Sequence, residues 1–179
     1  FQTLTPDFII DAIEAQGYLC NGSILALNSY ENRVYQIGIE DAQPIIAKFY
    51  RPDRWSDEQI LEEHALCFEM QEQELPVVPP LLNNDQQSLS HYEGFSISLF
   101  ERKGGHAPEL DHQDNLTVLG RLLARMHLIG DRVEFKHRPT ITVKNFGQDS
   151  FEFISQNFIP LELQKAYDSL AEDVLKQIE

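Results

Sequence analysis

Three short apolar stretches near the N-terminus, separated by two polar connections, constrain the fold of this chain more than any other feature. The stretches cover residues 19–27, 34–39 and 44–50, and each has the character of a β-strand. The connections, 28–33 and 40–43, are mainly polar and short enough to be hairpin turns. The order therefore predicts three consecutive strands in an antiparallel meander.

Helices are expected on either side of this meander in the sequence. Thr5-Pro6-Asp7 combines a hydroxyl, a proline and an acid, which favours a helix start, and the predicted helix ends at Gly17. Ser56 begins a second, strongly acidic helix that runs to about Glu74. The prolines that follow this helix force an extended connection.

The chain changes from mixed to mainly helical character at residues 101–105. Two more strands are predicted before this point, at about 80–83 and 95–100, and apolar residues recur at helical spacing after it, over 116–127 and near the C-terminus. The fold class is therefore predicted to be α+β. The last helix reaches Glu179 without a glycine or proline breaker, so we expect that the sequence is cut inside a larger fold.

Charge and cysteine content exclude several classes of protein. The 179 residues include 14 Lys and Arg against 29 Asp and Glu, a net charge of −15, so nucleic acid, which needs a basic surface, is not an expected partner. Two cysteines without metal or redox spacing indicate a reducing compartment, and we expect a cytoplasmic protein. We recognise neither a signal peptide nor an apolar stretch of membrane-spanning length, so we expect no membrane partner. A monomer is the expected state.

Lys48 is a cation inside an otherwise apolar stretch, where a charged side chain needs a partner or water. One interpretation is an edge strand that directs Lys48 to water. The other pairs it with an acid of the following helix, Glu63 or Glu62, as in kinases, where such a pair holds the α- and β-phosphates of ATP. Spacing favours Glu63, which lies near the apolar side of the helix, whereas Glu62 is expected on a solvated face.

The first hairpin connection, 28–33, would lie above such phosphates. It is not a glycine-rich loop, but Ser29 and Asn32 can present backbone and side-chain donors to phosphate oxygens. A plain polar hairpin tip explains the same residues. Residues 55–101 contain ten acids and no Lys or Arg, while a basic cluster precedes them, made of Arg33, Lys48, Arg51 and Arg54. This local positive charge would attract ATP to an acidic chain, and the alternative is that it neutralises the acidic helix.

Four segments in this order resemble one protein family: Asn28–Gln36, Lys48–Pro52, Ile60–His64 and His137–Ile141. Over nearly its whole length, the chain is similar to bacterial stress-response Ser/Thr protein kinases of the aminoglycoside phosphotransferase and choline kinase-like superfamily. The resemblance implies a protein-kinase-like fold, ATP and Mg²⁺ as cofactors, and a protein as substrate. It also implies an N-terminal nucleotide-binding lobe at 1–100, a hinge at 101–105 and a partial helical C-terminal lobe at 106–179.

The same resemblance implies, by position, a nucleotide site made of two groups of residues. The phosphate group comprises the covering loop, the nucleotide lysine and its helix partner: Ser29, Asn32, Lys48 and Glu63. The adenine group comprises hinge residues that offer their backbone, Phe100 and Arg102, and apolar walls, Ala47 and Leu99.

One departure from the family bears directly on activity. The family's catalytic loop, of the form H-G-D-x-H-x-G-N, and the metal-binding Asp that follows it do not occur in this sequence. We therefore assign no catalytic or metal-binding residue, expect the Mg²⁺ ligands beyond Glu179, and expect the 179-residue chain alone to be inactive. Two alternatives stay open: a small-molecule kinase with an aminoglycoside, choline or homoserine-type substrate, and a non-catalytic, pseudokinase-like fragment that binds a partner.

Overall fold

A computed structural model describes residues 3–178 and shows an α+β fold, as predicted. In the first half of the chain, one helix precedes three strands and a second helix precedes two more strands: α1 (Pro6–Glu14), β1 (Cys20–Leu27), β2 (Arg33–Ile39), β3 (Ile45–Phe49), α2 (Asp57–Glu72), β4 (Ser90–Tyr92) and β5 (Phe95–Glu101). The second half is helical, with α3 (Gln113–Gly130), a π-helical turn (Val143–Gln148) that continues directly into α4 (Asp149–Asn157), and α5 (Leu161–Ile178).

The strands form one antiparallel sheet in the order β1-β2-β3-β5-β4. β1, β2 and β3 follow one another as the predicted meander, and β5 pairs with the far side of β3. In this register Lys48 of β3 lies between Val34 of β2 and Ser98 of β5. β3 is therefore a central strand, which excludes the interpretation of Lys48 as an edge-strand residue.

The edge strand that pairs with β5 is not the segment that the sequence predicted. Residues 80–83 form an isolated bridge between Pro80 and Phe100 instead of a strand, and the strand that pairs with β5 is β4. Proline lacks the N–H group that a strand ladder needs, which explains why the segment around Pro79 and Pro80 does not extend into one. The prediction of a strand at 80–83 is therefore wrong.

A two-residue turn at Glu93 and Gly94 makes the β4–β5 hairpin instead. Both residues have positive φ, 42° and 85°, as in the type I′ turns whose twist matches that of paired strands. Glycine adopts such angles without steric cost, so Gly94 suits this position. The short turn thus sets where the edge strand lies.

α1 covers one face of the sheet, and the main core lies between this helix and the sheet. Thr5 caps this helix by accepting a hydrogen bond from the Phe8 N–H at 3.3 Å, as the sequence predicted. The residues buried between helix and sheet include Ile9, Ala12, Ile13, Ile37, Ala47, Phe49, Ile97 and Leu99. Since side chains alternate along a strand, Ile46, Lys48 and Ser98 belong to the opposite face.

The chain divides into two compact units, Phe1–His137 and Arg138–Glu179. In the second unit the hydroxyl of Ser155 in α4 donates a 2.7 Å hydrogen bond to Asp168 in α5. The predicted hinge at 101–105 lies inside the first unit, and the division of the chain into two lobes stays a prediction.

The helices predicted around 116–127 and near the C-terminus are confirmed as α3 and α5. The π-helical turn and α4 lie between them and were not predicted. Within residues 3–178, no helix has both the length and the apolar character needed to cross a membrane.

Candidate functional site

Lys48 and Glu63 form an ion pair on the sheet face opposite α1. The Lys48 Nζ atom donates to Glu63 Oε1 at 3.2 Å. β3 directs Lys48 to this face, and α2 presents Glu63 after a capping box in which the side chains of Ser56 and Gln59 accept each other's backbone N–H groups. The predicted pair is confirmed, and Glu63 rather than Glu62 is the partner.

This ion pair is partly shielded from water. The side chains of Lys48 and Glu63 are 20% and 37% exposed, and the Tyr50 ring lies beside the ammonium, 4.5 Å from Nζ to the ring centroid. A cation–π contact therefore adds to the attraction of the carboxylate. An ammonium has three N–H donors, so Lys48 can bind an anionic oxygen while it keeps its hydrogen bond to Glu63.

Cys67 lies one helical turn after Glu63 and responds to both charges of the pair. Burial raises the pKa of the Cys67 thiol, Glu63 raises this pKa further, and Lys48 acts in the opposite direction. A raised pKa favours the protonated thiol over the thiolate, which is the reactive form.

The β1–β2 turn, residues 28–32, is shaped by its own polar side chains. The Ser29 hydroxyl donates to the Asn32 carbonyl at 3.0 Å. Asn32 Oδ1 accepts a hydrogen bond from the Arg51 backbone N–H at 3.2 Å, which ties the turn to the segment after β3. The role of Ser29 and Asn32 toward phosphate stays a prediction, and these contacts favour a structural part in which they hold the turn's backbone in place.

Glu31 makes a second connection between the turn and the segment before α2. Its Oε1 atom accepts hydrogen bonds from Trp55 Nε1 at 2.6 Å and from Arg54 Nε at 3.0 Å. Burial raises the pKa of this carboxyl, but the hydrogen bonds from Trp55 and Arg54, together with the positive charges of Arg54 and Arg51, lower the pKa below its ordinary value. The sequence did not single out Glu31, because no local pattern links it to residues more than twenty positions away.

Phe100 and Arg102 lie where β5 ends. Phe100 is opposite Ile46 in the β3–β5 register, and Arg102 donates from Nε to Gln36 Oε1 at 3.1 Å. Ile46 precedes Lys48 by two residues on the same face of β3, so Phe100 and Lys48 belong to one continuous surface of the sheet. The contact of Phe100 and Arg102 with adenine stays a prediction.

Ala47 and Leu99 do not line this surface. Both side chains are buried in the core beneath α1, at 0% and 5% exposure. Since β-strand side chains alternate, the neighbouring residue that shares the face of Lys48 is Ile46. The expectation that Ala47 and Leu99 form the walls of the site is therefore wrong, and the apolar residues that share the face of Lys48 are Ile46 and Phe100.

Glu62 holds a distant segment of the chain instead of facing water. Its carboxylate accepts hydrogen bonds from the backbone N–H groups of Lys136 and His137, the latter at 2.9 Å. Gln59, one turn earlier in α2, donates to the His137 carbonyl at 2.8 Å. The expectation of a solvated face for Glu62 is therefore wrong, since α2 uses this side to fasten residues 136–137.

A buried network of polar side chains, which we call the histidine network, lies beside the ion pair. Its members are Tyr50, His64, Ser88 and Ser98. His64 Nε2 lies 2.9 Å from the Tyr50 hydroxyl, and His64 Nδ1 lies 2.9 Å from Ser88 Oγ. The Ser98 hydroxyl donates to the Ser88 carbonyl at 2.9 Å. Sequence reasoning missed this network, because its members come from four separate segments and follow no local motif.

Metal-binding side chains do not assemble within the part of the chain that the structure describes. Across residues 3–178, no group of three or more His, Cys, Asp or Glu side chains is placed so that it could hold a metal ion.

Residues 23–172 match the family described as "APH: Phosphotransferase enzyme family". Relatives with high similarity carry kinase names. "Stress response kinase A" of Escherichia coli O157:H7 is 39% identical over 179 residues, which are 99% of this chain and 54% of that protein. "Serine/threonine protein kinase RdoA" of Salmonella typhimurium is 42% identical over 146 residues, 82% of this chain and 44% of that protein. The chain thus spans about half the length of the curated relatives it matches.

Two solved structures share the fold at low sequence identity. The amicoumacin kinase hAmiN, solved with AMP-PNP, Ca²⁺ and Ami, has a TM-score of 0.67 at 18% identity and covers 92% of this chain and 53% of its own. A microcompartment-associated aminopropanol kinase has a TM-score of 0.61 at 20% identity and covers 78% of this chain and 48% of its own. Both comparisons agree with the α+β, protein-kinase-like architecture of this chain.

Proposed function

This chain belongs to the phosphotransferase enzyme family, and on that premise we propose that it is the ATP-binding portion of a Ser/Thr protein kinase that acts in the stress response. The complete protein would transfer the γ-phosphate of ATP to protein hydroxyls. The observation that carries the proposal is the ion pair of Lys48 with Glu63 on the face of the sheet opposite α1. In kinases a lysine of this kind contacts the nucleotide phosphates, and the acid of the helix holds it there.

The phosphates would lie between Lys48 and the β1–β2 turn. The Lys48 ammonium would donate to their oxygens, while Glu63 keeps the ammonium directed at them. Ser29 and Asn32 would shape the turn, so that its backbone N–H groups point toward the phosphates. The basic side chains around this turn would offset the repulsion between ATP and an acidic chain.

Adenine would lie further along the same face. Ile46 and Phe100, which are opposite each other in the sheet, would form its apolar wall. The backbone at Phe100 and Arg102 would donate and accept the hydrogen bonds that adenine needs. Apolar contact with a few placed polar groups is the usual character of a small-molecule site.

The ligands of Mg²⁺ and the catalytic loop of the complete protein would lie beyond Glu179. When bound, the metal neutralises the charge that develops on the transferred phosphoryl group. The side chains of the proposed site would hold the nucleotide, whereas no group of His, Cys, Asp or Glu side chains among residues 3–178 could hold a metal ion. We therefore propose that this chain binds nucleotide weakly and does not transfer phosphate by itself.

The identity values favour a protein substrate over a small molecule. Relatives named stress response kinase or serine/threonine protein kinase are 39–42% identical to this chain, whereas the amicoumacin and aminopropanol kinases are 18–20% identical. The fold alone suits either substrate. A complete protein that phosphorylates an aminoglycoside, choline or homoserine, and no protein, would support the small-molecule alternative instead.

Nucleotide titrations followed by NMR test the site directly. We expect the wild-type chain to bind ATP with a dissociation constant no tighter than about 1 mM, or about −4 kcal/mol. Lys48→Ala should abolish the preference for ATP over adenosine, while Lys144→Ala, at a lysine of the second unit, should leave it unchanged. ATP binding at micromolar strength that is independent of Lys48 would contradict the proposed phosphate site.

A further inference from the structure

The histidine network joins four segments of the fold beside the ion pair. His64 belongs to α2, Tyr50 follows β3, and Ser98 belongs to β5, while Ser88 lies just before β4. The His64 and Ser98 residues are 2% and 1% exposed, so these contacts are made in the absence of bulk water. In a neutral imidazole one nitrogen donates and the other accepts, and the hydroxyls of Tyr50 and Ser88 can take either part.

Three of the four members of the network also adjoin the residues of the ion pair. His64 directly follows Glu63 in α2, and Ser98 is opposite Lys48 in the β3–β5 register. The Tyr50 side chain contacts Lys48 through its ring and His64 through its hydroxyl. The network therefore lies behind the pair and touches the segments that carry both charges.

Hydrogen bonds define the placement of α2 in a way that apolar packing cannot. Burial of apolar surface is non-directional, so the apolar area that a helix buries does not by itself determine its rotation and register. Hydrogen bonds need defined distances and angles. Three positions of α2 are buried, Ile60, His64 and Met70, and His64 is the polar one among them. Its two ring nitrogens fix α2 against β3 on one side and against the Ser88 segment on the other.

We propose that His64 is a positioning residue, which sets the rotation and register of α2 so that Glu63 meets Lys48. The inference rests on the proposed function, in which Lys48 contacts the nucleotide phosphates. In this role His64 would act through the placement of α2 and Tyr50, and not by contact with the nucleotide. Loss of its hydrogen bonds leaves α2 folded but lets Glu63 move away from the ammonium, so phosphate binding falls while adenine binding stays.

Three variants of the 179-residue chain test this inference. Tyr50→Phe keeps the ring beside Lys48 and removes the hydroxyl at His64. Ser88→Ala removes the hydroxyl that lies at the other ring nitrogen of His64. His64→Gln replaces the imidazole by an amide, which keeps a polar group at this position but not the geometry of the two ring nitrogens. Tyr92→Phe, on the edge strand β4, is the matched control for loss of a tyrosine hydroxyl. Thermal unfolding followed by circular dichroism verifies that each variant is folded.

The readouts are NMR titrations with ATP and with adenosine, and amide hydrogen exchange in α2. We expect each of the three variants to weaken ATP binding by about threefold to tenfold, the range set by loss of one buried hydrogen bond. Adenosine binding should change by less than about twofold, and exchange in α2 should accelerate. Tyr92→Phe should have neither effect. Tyr50→Phe is close to isosteric, so it stays informative if His64→Gln fails to fold.

Two results would overturn the inference. Unchanged ATP binding in folded Tyr50→Phe and Ser88→Ala would show that the network does not position the pair, and equal losses for ATP and adenosine would indicate a purely structural role. Lys48→Ala separates this failure from failure of the proposed function. If Lys48→Ala weakens ATP binding and the network variants do not, only the positioning role is wrong; if Lys48→Ala has no effect, both fail.

Discussion

The indole N–H of Trp55 donates a 2.6 Å hydrogen bond to Glu31, and this contact ties the β1–β2 turn to the residues just before α2. Arg54 donates to the same carboxylate oxygen at 3.0 Å, and Asn32 accepts from the Arg51 backbone. The turn and α2 therefore share one connecting segment. A displacement of this segment would move the turn and the helix that carries Glu63 together.

We predict that Trp55 fluorescence changes as Glu31 becomes protonated, and that the pH midpoint of this change lies below the ordinary pKa of glutamate. The carboxylate keeps its hydrogen bonds in the folded state, so its pKa is lowered there. The resulting stabilisation is complete above the unfolded pKa and is lost as the pH falls through the folded pKa. Trp55 is the single tryptophan of the chain, so its emission against pH measures this transition. Circular dichroism over the same range monitors unfolding.

Glu31→Gln is the matched control, because glutamine can still accept from Trp55 but does not ionise. The fluorescence transition should disappear in this variant. A midpoint at or above about pH 4.3, the usual value for glutamate, would contradict the prediction. An identical transition in Glu31→Gln would do so as well.

Adjacent acids of α2 are predicted to have separable effects. Glu62→Ala should lower the free energy of unfolding by about 1 kcal/mol, since two backbone N–H groups at Lys136 and His137 lose their acceptor. Glu63→Ala should change stability by less than about 1 kcal/mol, as for other partly exposed ion pairs, but should weaken ATP binding. Urea unfolding and NMR titration measure the two effects. The assignment fails if both variants behave alike.

Cys67 is predicted to report the charges of the ion pair through its rate of alkylation. Burial and Glu63 raise the pKa of this thiol and Lys48 opposes them, and the thiolate is the reactive form. Glu63→Gln should therefore accelerate alkylation by iodoacetamide, and Lys48→Met should slow it. Mass spectrometry of the labelled peptides gives the rates.

Cys20 is the internal control for this experiment. Burial and Glu14, not the ion pair, raise the pKa of its thiol. Its alkylation rate should therefore be the same in all variants. Equal changes at Cys20 and Cys67 would indicate general loosening of the fold and would remove the support for the charge effect.

We predict that the purified 179-residue chain transfers no phosphate from ATP. The sequence contains no loop that could orient an acceptor hydroxyl and hold Mg²⁺. Transfer of ³²P from labelled ATP to protein measures activity, and a longer polypeptide that includes the family's catalytic loop should be active. Lys48-dependent labelling by the short chain would refute the prediction.

Local patterns of the sequence were enough to predict much of the fold and the central pair of the site. The meander, the start of α1 at Thr5 and the helical segments depend on hydrogen bonds and periods that are set over a few residues. The position of Lys48 in an apolar strand and the placement of Glu63 on α2 follow from the same periods. Each of these features is confirmed. They could be predicted because residues that are close in the sequence determine where each element begins and which face it presents.

Tertiary structure alone decided which other residues lie beside the ion pair. Ala47 and Ile46 are adjacent and apolar, and the packing of α1 on one face determines that Ala47 is in the core and Ile46 is beside Lys48. Glu62 reaches His137, 75 residues away, and His64 reaches Ser88, 24 residues away. Contacts of this kind depend on how complete elements pack in three dimensions, which no period along the chain encodes. For that reason the ion pair could be predicted, while the network behind it could not.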